Sequence, residues 1–138
     1  MFATLVCAGV LLHGPNAASA HDMGIHGDHM DTQMKKLHAM MPVFSVASAE
    51  LESAINKGDA DAAKVQADRI LAAVPDLKKS KPHKHVKERK KFVELATKLG
   101  KIVTLTTDQA KMDNFAEAKA SFKKVEEICA ACHAKFRD

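Results

Sequence analysis

The sequence predicts an all-α protein, an antiparallel up-down-up-down bundle of four helices. Three observations carry that expectation. The residue mix is 46% hydrophobic and rich in Ala and Leu, with few Gly and Pro, no Trp or Tyr and six Phe, which suits helices better than strands. Apolar residues recur at alternating spacings of three and four in four separate segments, the mark of helices with one buried face. The links between these segments are short, which favours antiparallel neighbours. At 138 residues the chain has room for one core and not for two independent lobes.

The first helix carries the stripe Met30, Met34, Leu37, Met41, Phe44, Ser48, Leu51 and Ile55. Pro42 falls inside it, where it either kinks one long helix or opens a second one. Gly58 ends the element, and Asp59 is a good cap for the next. The second helix is expected from about Ala60 to Val74, with Ala63, Ala67, Ile70 and Val74 inward, and Pro75 and Pro82 bracket the following link. The third is expected from near His83 to about Ala110, burying Phe92, Ala96, Leu99 and Val103, with Gly100 as a local weak point. Asp113 or Asn114 caps the fourth, whose stripe is Phe115, Ala118, Phe122, Val125, Cys129, Cys132 and Phe136. Its period does not slip across the cysteines, so they belong to the buried face.

Upstream of the bundle, residues 1–20 hold an apolar run from Phe2 to Leu12 and end in Ala18-Ser19-Ala20, the small-x-small pattern of a signal peptidase site. The run is too short to span a membrane, and Gly14-Pro15 breaks it. A signal peptide over 1–20 and export to a periplasm are therefore expected, with no membrane-spanning segment after cleavage, although no Lys or Arg lies near Met1. Cys7 leaves with that segment. Residues 21–30 (HDMGIHGDHM) show no apolar period and read as a flexible His/Met-rich leader. The bundle domain then occupies 31–138.

Chemistry concentrates in Cys129-Ala130-Ala131-Cys132-His133, the attachment signature of haem c. Two thiols at this spacing add to the two porphyrin vinyl groups, and the adjacent imidazole binds iron. A redox C-x-x-C pair usually opens a helix after a strand, whereas this motif closes the last helix of a chain with no credible strand. A zinc site needs a fourth ligand and usually a second Cys or His pair, and the segment after residue 20 has no other cysteine. A structural cysteine pair leaves His133 without a role.

With its motif in the last ten residues, followed by Phe136-Arg137, the chain resembles the class II cytochromes c, the cytochrome c′ group. The resemblance covers roughly Asp31 to Asp138 and rests on motif placement and helix count; the Met40-Met41-Pro42 segment and the long leader depart from familiar members. It implies one covalently held haem c per chain and an iron whose sixth position faces helix one. An axial Met there makes an electron carrier, and an apolar residue leaves iron open to nitric oxide or carbon monoxide. His133 lies nineteen residues after Asn114, roughly 28 Å along the helix, and counting back from Lys57 points to Leu37 through Met41. The stripe selects Met41, because Met40 is rotated about 100° away. Met34, Met40, His38 and an open site remain alternatives, and a helical Met is often a core filler.

The segment Lys78 to Lys91 contains eight Lys or Arg residues against Glu88 alone, a surface able to dock an acidic redox partner or to meet haem propionates. The net charge of +4 is reduced by ionised propionates, so it does not point to nucleic acid. His21, His26 and His29 with Met23 and Met30 form a copper-type donor set in the leader, while His83 and His85 flank a turn and are expected to be exposed. The chain offers no nucleophile and base pair, phosphate loop or carboxylate dyad. An electron-transfer protein is expected, and not an enzyme; a homodimer is left open.

Overall fold

The computed structural model describes residues 32–137. The expected signal peptide, the leader with its His/Met donors, and Met30 lie outside them. Four helices follow in order, α1 (Thr32–Lys57), α2 (Ala60–Lys79), α3 (Arg89–Lys111) and α4 (Phe115–Phe136), with a short 3-10 turn at Val86–Glu88 before α3. Each packs against the next, and α1 also meets α4, so the chain folds as an up-down-up-down four-helix bundle. No described helix is long and apolar enough to cross a membrane.

The core is a column of aliphatic side chains, with Leu51, Ile55, Ile70, Val103 and Val125 almost wholly excluded from solvent. Between them lie Ala47, Ala54, Ala63, Ala67, Ala96, Ala110 and Ala118, all buried. Small residues at these inward positions let the helix axes approach closely.

The caps follow from local chemistry. Gly58 adopts φ +71°, the left-handed conformation that ends α1. Asp59 Oδ1 then accepts the Ala62 N–H at 2.8 Å, satisfying one orphan donor of α2. The start of α4 is set by backbone geometry instead, since Asn114 makes no side-chain cap bond and its carbonyl accepts the Ala118 N–H at 2.9 Å.

One alternative is decided and two expectations change. Pro42 lies inside one long helix, the first of its two expected placements, because α1 runs through it unbroken; it removes the N–H that would meet the His38 carbonyl. Likewise α2 continues past Pro75 to Lys79. One more turn buries Leu77, and Ser80 closes that turn with its N–H on the Asp76 and Leu77 carbonyls and its hydroxyl on the Leu77 carbonyl at 2.7 Å. The remaining carbonyls at this end take the Arg89 guanidinium, at 2.6 Å on Ser80, 2.9 Å on Lys78 and 3.2 Å on Lys79. Finally, α3 starts at Arg89 and not near His83, because His85 sits at φ +52°, a conformation no right-handed helix includes.

Candidate functional site

Cys129, Cys132 and His133 lie on the last turns of α4. Spacings of three and four on a continuous helix put all three on one side of it. Both cysteines are free thiols, half-buried and packed against the core, while His133 is exposed. The sequence stripe is therefore slightly rotated, since Ile128, which it omitted, is buried more deeply than either cysteine.

Burial pushes the Cys132 thiol up to about 11, with the neighbouring Cys129 adding to the effect. Burial also raises Cys129, and the Glu126 carboxylate reinforces it. The negative end of the α4 dipole acts in the same sense. These thiols are held protonated, the opposite of the low-pKa thiolate that a disulfide-exchange cysteine needs. Among the described residues no group of three or more His, Cys, Asp or Glu side chains is placed to hold a metal ion.

Below the motif the end of α4 is anchored. Phe136 is buried, its ring meeting Phe92 edge-on at 5.3 Å between centroids, and its carbonyl accepts the Lys84 N–H at 3.2 Å. Lys135 pairs with Glu88, and the Lys135 ammonium holds the Glu88 carboxyl below its ordinary range. The α2–α3 link thus lies directly against the motif end. In the basic run, Arg89 is spent on capping α2 and Lys91 pairs with Glu94 at 3.8 Å. Lys79, Lys81, Lys84, Lys87 and Lys90 have exposed side chains.

The seam between α1 and α4 is the most sparsely packed of the four sequential and closing helix contacts. A groove in it is lined by Glu52, Ile55 and Asn56 from α1 and by Phe122, Lys123, Glu126 and Lys119 from α4. This sets the register of the two helices, with Ile55 about level with Phe122. Moving eleven residues along each helix toward the motif end pairs His133 with Phe44. At that end His38 Nε2 lies 2.8 Å from His83 Nε2, and the next residue, Lys84, bonds to Phe136. This second tie makes His38 about level with Phe136, and three residues inward it pairs His133 with Met41. The two estimates bracket the level opposite His133 between Met41 and Phe44.

Helical rows add direction. On α1, the row Met41, Ser48, Ile55 advances in steps of seven, so Met41 continues the row that faces α4, within about 40° over two steps. Met40 belongs to the adjacent row with the buried Ala47 and Ala54, and it also packs against the core; the buried stripe of α1 is wider than the sequence reading that set Met40 aside. On α4, the groove-lining Phe122 and Glu126 lead by steps of seven to Cys129 and His133. Both rows open on the same seam. Met34 lies two turns from Met41 toward the start of α1, half-buried, and His38 is exposed with its ring against His83.

Comparison with protein-family models, with curated proteins and with solved structures returned no match. The chain is a four-helix all-α domain with a Cys129/Cys132 pair and an adjacent His133 near its C-terminus.

Proposed function

We propose that the chain is a monohaem class II cytochrome c that carries single electrons, with haem attached through Cys129 and Cys132 and its iron bound by His133 and Met41. The observation that carries this reading is the C-x-x-C-H motif on one side of the last turns of α4, with its two cysteines packed against the core. The donor set fits the group. Two free thiols, half-buried and partly open to solvent, stand at the C-x-x-C spacing that haem attachment uses. An exposed imidazole follows the second thiol directly. Haem iron, when bound, supplies a one-electron Fe(III)/Fe(II) couple whose potential its axial ligands tune.

The chain's own residues define the surroundings. Support for Met41 comes from the His38–His83 and Lys84–Phe136 ties, which set it about level with His133, and from its place on the α4-facing row of α1. Phe92 and Phe136 brace the turn that carries His133. The exposed lysines of the α2–α3 link, next to that turn, suit an acidic redox partner. Residues 1–20 support export to a periplasm, and the absence of an evident nucleophile and base in the sequence supports a carrier that makes no bonds.

Absorption spectra of the haem-loaded protein in both oxidation states test the ligand set. The reading expects a low-spin ferrous form, a weak far-red methionine band in the ferric form and slow carbon monoxide binding. Met41→Ala should give a high-spin spectrum and fast carbon monoxide binding. A high-spin form from Met40→Ala or His38→Ala alone would move the ligand and keep the carrier. A wild-type protein already high-spin and quick to bind carbon monoxide would replace the carrier with a gas-binding cytochrome c′.

A further inference from the structure

The two histidines at the motif end of the bundle have no part in the proposed redox site. His38 stands on α1 and His83 in the α2–α3 link, 45 positions apart in sequence, yet their Nε2 atoms are 2.8 Å apart, with ring centroids at 4.8 Å and planes inclined by 39°. His38 is exposed and His83 half-buried. Two imidazole nitrogens on one divalent ion, each at about 2.0–2.1 Å and in adjacent positions, lie about 2.9–3.4 Å apart. The observed separation is already within a few tenths of an ångström of that requirement. We infer that His38 and His83 form a surface site for a late first-row divalent ion, Cu(II) in preference to Zn(II), with water completing the coordination.

The chemistry follows from the donors. In the metal-free pair one Nε2 donates its proton to the other's lone pair. Binding an ion needs both Nε2 lone pairs, so the donor ring changes tautomer, its proton moving to its own Nδ1, and both rings stay neutral. Imidazole suits both ions, and the general affinity order places Cu(II) above Zn(II). Because one ligand sits on α1 and the other on the link, the ion cross-links two segments that are otherwise far apart along the chain. It therefore stabilises the folded state by mass action. The site stands independently of the redox reading, since neither nitrogen is assigned to iron there.

Calorimetric titration of the haem-loaded mature protein with Cu(II), in a buffer that does not bind metal, tests the inference. The His/Met-rich leader supplies the competing donors. Wild type should take up one equivalent at this site and melt at a higher temperature with the ion present. His38→Gln and His83→Gln should each weaken that uptake at least tenfold and abolish the melting shift, while a His21→Ala, His26→Ala, His29→Ala triple variant should retain both. His38→Gln changes an exposed helical side chain, so it carries the test even should the His83 variant fold poorly. Uptake and melting shift unchanged in His38→Gln, or no saturable uptake by wild type, would overturn the inference.

Discussion

Replacing Phe136 by Ala removes the side chain that fastens the last turn of α4 to the rest of the bundle. The ring is only 3% exposed and packs edge-on against Phe92. Truncating a buried Phe to Ala costs roughly 3–5 kcal/mol through lost transfer energy and an unfilled cavity, and the edge-on pair accounts for about 0.5–1.5 kcal/mol of it. The Lys84 N–H bond to the Phe136 carbonyl is made by backbone and is still available, so about 4 kcal/mol is a fair expectation. For a domain of this size that corresponds to roughly 15 °C in melting temperature. Phe136→Leu, which keeps most of the apolar volume, should lose no more than about 1.5 kcal/mol. Urea unfolding followed by far-ultraviolet circular dichroism measures both. Loss below about 1 kcal/mol for Phe136→Ala would show that this end of α4 is not held by the Phe92–Phe136 contact.

Other consequences follow from the same packing. Arg89→Ala should destabilise by about 1–2 kcal/mol by leaving the Ser80, Lys78 and Lys79 carbonyls without their guanidinium partner, and Arg89→Lys should recover only part because the fork is lost; thermal melts of both decide it. In protein made without haem, Cys132 is held at about 11, so its alkylation near pH 8 should run at least about tenfold slower than in the urea-unfolded chain. A thiol raised on folding stabilises fully below its unfolded pKa and loses that contribution as pH climbs toward about 11, so the haem-free fold should weaken over that alkaline window. Gly58→Ala has room for the added methyl, whose nearest neighbour is the Phe115 ring at 3.7 Å, but forces a left-handed φ of +71°; about 1 kcal/mol of destabilisation is expected in a urea titration.

Much of this arrangement is legible in the sequence because it depends on periodicity. Ala63, Ala67, Ile70 and Val74 on α2, and Phe92, Ala96, Leu99 and Val103 on α3, are buried as their spacing predicts. Proline was the misleading signal. Pro75 reads as a boundary and Pro42 as either a point within one helix or the start of another, yet each costs a helix one backbone bond, and the turns beyond them bury Leu77 and Phe44, which offsets that loss. The α3 start was misplaced because nothing local in His83-Lys84-His85 announces a left-handed residue. At the candidate site the motif itself was plain, whereas Ile128 buried beside the cysteines, Met40 packed against the core next to Met41, and Arg89 as a cap depend on helix rotation and on contacts across the link. The His38–His83 contact is tertiary, and no spacing rule could have found it.

The most direct test of the central claim is the intact mass of the mature protein produced alongside the cytochrome c maturation machinery, measured under denaturing conditions. Covalent attachment predicts a single species heavier than the polypeptide by one haem, with no thiol left to alkylate at Cys129 or Cys132, and a Cys129→Ala, Cys132→Ala variant at the bare polypeptide mass. A wild-type mass without haem and with two alkylatable thiols would contradict it.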